Sequence, residues 1–239
     1  MPQKYSMIFA MTFLFCSSQL LAQKDQIPLD PMLEKASQRE LIKIGMITEA
    51  KPAKLKFGEF INDNRKGKSE STGDEPADLL FSFDIKNANG DLAKVEASGK
   101  SVKNEVSKEN EAPSEISVYI STTLEDDDLW VLLINTSSNS KDLSLNNIFL
   151  TNGNEEIVFK QVIGNPMNKS EVTAPKGIEA SIDDYPIAAM QYYSGGSFSY
   201  KKFIWISEKT EPHLQLVMAG VFSAMLEIGG YFDGTGFIE

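Results

Sequence analysis

Two residue types are nearly missing from this chain. Cys16 is its only cysteine and His213 its only histidine in 239 residues. A serine or cysteine nucleophile needs a neighbouring base that titrates near neutrality, and only His213 meets that need. No G-x-S-x-G turn accompanies it. A histidine-based zinc site is excluded for a single chain on the same count, since such sites draw three or four ligands from His, Cys and carboxylates. The sequence therefore assigns no catalytic, cofactor-binding or metal-ligating residue.

Positive charge is also in short supply. Asp and Glu number 34 against 23 Lys and Arg, giving a net charge of −11. Nucleic acids and anionic membranes both call for clustered Lys and Arg, so this balance argues against either partner. It suits solubility, cationic partners or divalent cations. Long apolar runs are scarce. The longest late one, Leu214 to Leu226, has thirteen residues, and a bilayer span needs about 20. No internal repeat recurs at a fixed period.

The first 22 residues read as a cleavable secretory signal peptide. Lys4 is the only charge before Lys24, and the apolar run from Ser6 to Cys16 makes the hydrophobic region. Ala22 is the small residue expected at the cut. Leu20, two positions earlier, is larger than a peptidase prefers, which leaves the exact bond open by a few residues. Phe15 before Cys16 argues against lipid attachment at that cysteine. Cleavage near Ala22 leaves about 217 residues with no cysteine, so stability must come from an ordinary core. The expected location is periplasmic or extracellular.

The rest divides into an N-terminal region, 23–112, and a strand-rich region, 113–239, expected to pack as one unit. Asp30-Pro31 opens a short helix, with Asp30 as cap and Pro31 in the first turn. Leu33, Ala36, Leu41 and Ile44 carry it toward a stop at Gly45, although Leu41 to Ile47 also suits a strand. Asn62 to Asp78 holds no apolar residue larger than Ala and reads as a loop, as does Gly99 to Ser114. Between them, Leu79, Phe81, Phe83 and Ile85 alternate, Asn89-Gly90 turns the chain, and Leu92 to Ala97 returns: a β-hairpin.

Further on, Ile116, Val118 and Ile120 alternate with polar neighbours. Leu129 to Ile134, LWVLLI, is continuously apolar and predicts a central strand covered on both faces, or on one face plus a flanking element, with Leu132 fully buried. Asn135 to Asp142 and Asn152-Gly153 are turns. Ile157 to Ile163 and Ser197 to Ser207 read as strands. Turns at 8–12-residue intervals mark an antiparallel sandwich or barrel. The fold class is mainly β, an antiparallel sandwich-like domain with a short N-terminal helix; Leu214 to Leu226 suits a buried helix first and a strand second. The tail after it reads as a loop or closing strand.

Four features touch on function. Glu125 to Asp128 is the densest acidic run and reads as a solvated turn, with Ca²⁺ as the sharper alternative. Asp183-Asp184 and Asp233-Gly-Thr-Gly are weaker candidates of the same kind. Tyr192, Tyr193, Phe198, Tyr200, Phe203 and Trp205 form an aromatic stretch that reads first as core and second as a binding patch. Asn135 and Asn168 head glycosylation sequons of little weight. Together these favour an exported, non-enzymatic binding or interaction protein whose ligand is a protein or a glycan. The alternatives are a secreted glycan hydrolase using two carboxylates and an acidic inhibitor of a basic exported enzyme.

Overall fold

Alternation of period two runs through most of the chain, and the computed structural model converts it into one antiparallel sheet. The structure describes residues 26–44, 54–68, 78–100, 115–125, 128–135, 148–164, 174–194 and 201–233. The proposed leader, Cys16, Asn168 and the Asp233-Gly-Thr-Gly tail beyond Asp233 fall outside these residues.

The strands are β1 Glu40–Leu41, β2 Lys43–Ile44, β3 Leu55–Phe57, β4 Phe60–Lys68, β5 Asp78–Lys86, β6 Leu92–Lys100 and β7 Glu115–Thr122. They continue with β8 Leu129–Asn135, β9 Ile148–Thr151, β10 Glu156–Ile163, β11 Lys176–Ile182, β12 Tyr185–Tyr193 and β13 Phe203–Ile206. From β2 to β13 each strand pairs with its neighbours in sequence. At the two ends of this sheet lie β1, bonded to β13, and β2, bonded to β3.

Only Ile42 separates β1 from β2, and its N–H donates to the Lys202 carbonyl at 3.0 Å. Residues 40–44 thus act as one extended segment that passes its hydrogen bonds from β13 to β3. The sheet comes close to closing on itself, with twelve strands around it. One curled sheet stands where two facing sheets were expected. The antiparallel, β-rich class is as read from the sequence, and a helix stands near each end of the described chain, with bounds that differ from those expected.

A barrel of about eight strands is filled by its own side chains, and more strands leave room for something else. Here the helix α2, Pro212–Asp233, takes that room. From Leu216 to Leu226 every residue of α2 is buried. It joins one core with the inward residues of the strands, among them Phe83, Ile85, Val95, Ile120, Trp130, Leu132 and Ile178. Gly220 lies where it meets β6 and β7: a Cβ there would sit 3.1 Å from Val95 Cγ2 and 3.4 Å from Ile120 Cγ2. The helix runs on through Gly229 and Gly230 to Asp233, so the expected loop begins later than the sequence suggests.

The first helix, α1, is Pro31–Ala36, shorter than its apolar spacing suggested. Asp30 caps it, its Oδ1 accepting from the Met32 N–H at 2.7 Å. It stops at Ala36 because residues 40–44 are drawn into the sheet. The segment from Ile27 to Ala36 lies on the outer face of β12 and β13, where Ile27 and Leu33 form a second core with Ala189, Phe203 and Trp205. The Ile27 N–H donates to Gln191 Oε1 at 3.0 Å, and Gly177 leaves the space for Ile27 Cδ1. This cover explains why β12 is buried on both faces from Pro186 to Tyr192.

Two strand assignments differ from expectation. The polar stretch from Asn62 does not begin a loop; β4 extends to Lys68 because its outward side chains meet water while its backbone pairs with β5. Residues 69–77 and 101–114 fall outside the description. The run LWVLLI is covered on one face only. Trp130, Leu132 and Ile134 are fully buried, whereas Leu129 is 48% exposed and Val131 and Leu133 are half-buried. The turn Asp183-Asp184 has φ of +48° and +63°, the left-handed pair of a two-residue hairpin between β11 and β12. Turns at Gly90 and Gly153 also have positive φ, as their Asn-Gly sequences require.

Candidate functional site

The acidic run and the lone histidine, unrelated in sequence, meet at one rim of the barrel. Glu125 leaves the end of β7, Asp128 leads into β8, and His213 lies in the first turn of α2. One ligand atom from each of the three falls within 4.8 Å of the others. His213 Nδ1 is 3.1 Å from Glu125 Oε1 and 3.5 Å from Glu211 Oε2. The imidazole is buried and the two glutamates are exposed. Asp126 and Asp127 fall outside the described residues.

Asp128 is held from two sides. Trp130 Nε1 donates to its Oδ2 at 2.6 Å, and Asn152 Nδ2 donates to its Oδ1 at 2.9 Å. Asn152 is itself fixed, since its Oδ1 accepts from the N–H groups of Asn154 and Glu155. The Asn-Gly turn between β9 and β10 therefore orients a carboxylate at the mouth of β8. A single histidine argued against a histidine-based zinc site; here Glu125 and Asp128 bring carboxylate oxygens within 4.8 Å of a His213 ring nitrogen.

A second polar group lies inside the barrel. In β4 the register shifts between Asp63 and Lys66, and Asn64 takes φ +54°. This bulge places Asn64 toward Asp84, to whose Oδ2 its Nδ2 donates at 2.6 Å, and sends Arg65 to Glu227 of α2, with which it forms an ion pair. Burial pushes the Glu227 carboxyl above its ordinary range, and Arg65 pulls part of the way back. Asn62 is 1% exposed and both its amide atoms lack a partner, as does the Ser223 hydroxyl. On the outer side of the same strand, Lys54 and the backbone of Asn64 hold the Asp63 carboxyl below its ordinary range.

The third feature is a shallow depression on the outer face of β4 to β7. Register places Lys66, Ser82, Glu96 and Tyr119 in one row across these strands. Leu80, Ser98 and Ser117 form the next. Small serines make the floor, and Leu80, Tyr119, Lys66 and Glu96 rise around it. Beyond Tyr119 the outer face grows apolar, with Leu129, Phe149 and Val158 each about half exposed. The aromatic stretch of the sequence is elsewhere: Tyr192, Phe203 and Trp205 are buried and belong to the core, while Phe198 and Tyr200 fall outside the described residues.

No family of known proteins, no curated protein and no solved structure matches this chain. Among the described residues, no helix is long and apolar enough to cross a membrane.

Proposed function

We propose that this is an exported, non-enzymatic binding protein that receives its ligand on the outside of the barrel, at the depression around Tyr119. One observation carries the reading: α2 occupies the middle of the barrel, while the outer face of β4 to β7 presents an exposed aromatic ring between serines, a lysine and a glutamate. An exposed ring beside hydroxyls and charges suits the mixed polar and apolar faces of a sugar. The hydrolase alternative needs two facing carboxylates, and Glu96 is the single one lining this depression.

The test is retardation in native gels containing neutral, anionic or cationic soluble polysaccharides. Parent protein is expected to be slowed by at least one of them, and Tyr119→Ala to run freely at an unchanged melting temperature. Equal retardation of parent and variant would remove the depression from the argument. No retardation of the parent in any gel would turn the search to a protein ligand.

A further inference from the structure

We infer that Glu125, Asp128 and His213 form a site for one divalent transition-metal ion at the rim of the barrel. The donors come from the β7–β8 connection and from the start of α2, so the site joins sheet to helix. Their chemistry is one imidazole nitrogen with carboxylate oxygens, a set suited to zinc or a neighbouring first-row ion, because imidazole disfavours Ca²⁺ and Mg²⁺.

Geometry agrees with this choice. Two ligand atoms each about 2.0–2.1 Å from a tetrahedral ion stand about 3.3–3.4 Å apart. His213 Nδ1 and Glu125 Oε1, 3.1 Å apart, come close to that edge, and Asp128 brings an oxygen within 4.8 Å of both. Asp128 is already aimed by Trp130 and Asn152, the kind of outer support that fixes a ligating carboxylate. His213 is only 8% exposed and sits on a helix, so its ring has little freedom to turn away.

Charge gives a second argument. A protonated imidazole supplies one positive charge against three carboxylates, and the helix N-terminus adds only about half a charge. A dication balances the group more closely. Nearby in the chain, the Thr122 and Thr210 hydroxyls are buried and have no hydrogen-bond partner. Three protein donors leave one tetrahedral position for a water.

The simpler reading is a histidine held by carboxylates through hydrogen bonds alone, and the two readings separate under titration. Tag-free full-length protein is titrated with Zn²⁺ by calorimetry, while tryptophan fluorescence is followed in parallel, because Trp130 bonds a proposed ligand. The expected result is one ion per chain with Kd tighter than about 10 μM and a saturable emission change at the same stoichiometry. Glu125→Gln, at a half-exposed position that tolerates the change, is expected to weaken binding at least about tenfold with the fold intact. His213→Gln is expected to abolish it. Glu34→Gln on α1 is the control and leaves binding unchanged. Absence of saturable binding, or a Zn²⁺ affinity that Glu125→Gln leaves as it was, overturns the site.

Discussion

Leu129 and Leu132 stand three positions apart in β8 and face different surroundings. Leu132 points into the core and is fully buried; Leu129 points outward and is about half exposed. Truncating Leu132 to Ala is expected to cost about 2–5 kcal/mol through lost burial and a residual cavity. The same change at Leu129 is expected to stay within about 0.5 kcal/mol. Urea denaturation of both variants checks the pair, and equal losses would contradict the one-sided burial of β8. Glu227 offers a different residue-scale test. Its folded pKa lies above the ordinary 4.5 because burial disfavours the charged form. The folded state therefore holds the proton longer than the unfolded chain does. Its contribution to stability is complete below the ordinary glutamate range and is lost as pH rises through the folded value. Glu227→Gln removes that loss. Relative to the parent, the variant is expected to gain stability from about pH 4 toward neutrality, as read from denaturation midpoints across that range. A constant difference between the two proteins would show that Glu227 titrates as if exposed. Arg65→Met is expected to act in the opposite sense, since it leaves a buried carboxylate without its partner.

At the scale of elements, the contact between α2 and the sheet is the most exacting. Gly220→Val places a Cβ and two further methyl groups where Val95 and Ile120 already stand. Overpacking of this kind is expected to cost about 1–3 kcal/mol, despite the better helix propensity of valine over glycine. A variant that melts like the parent would mean that α2 sits farther from β6 and β7. Elements of this protein were legible where one face is wet and the other dry. Phe81, Phe83 and Ile85 announce β5, and Ile116, Val118 and Ile120 announce β7, because period-two burial leaves a period-two sequence. The same logic hides β12, since α1 covers its outer face and both parities become apolar or small. It hides β4 as well, whose outward residues are ordinary loop formers and whose inward residue at position 62 is an asparagine. Segments of two residues, such as β1 and β2, carry no period at all. The rim group was legible only in pieces: Glu125 to Asp128 and His213 each stood out, but their meeting depends on a helix running the length of the barrel, which no local pattern encodes.

For the molecule as a whole, the segment from Gln26 to Ile44 does two tasks. It covers β12 and β13 from outside, and it supplies the strand that carries the sheet toward closure. Deleting residues 23–44 is expected to leave β3 and β13 as open edges, with unpaired backbone groups ready to bond another chain. The expected outcome is a protein that still shows β-type circular dichroism but aggregates in sedimentation velocity and loses its single cooperative unfolding transition. A monomeric, cooperatively melting deletion variant would show that the ring is dispensable.

Near-closure also sets an order of events. The segment that joins both sides of the barrel is synthesised first, yet its partner β13 is among the last strands made, and the Ile27 to Gln191 hydrogen bond ties positions 164 residues apart. Every hairpin between β3 and β13 can form from sequence neighbours, but the ring waits for the whole chain. Contacts of such long separation slow folding, so closure of the ring is expected to be the slow step on the way to the native state.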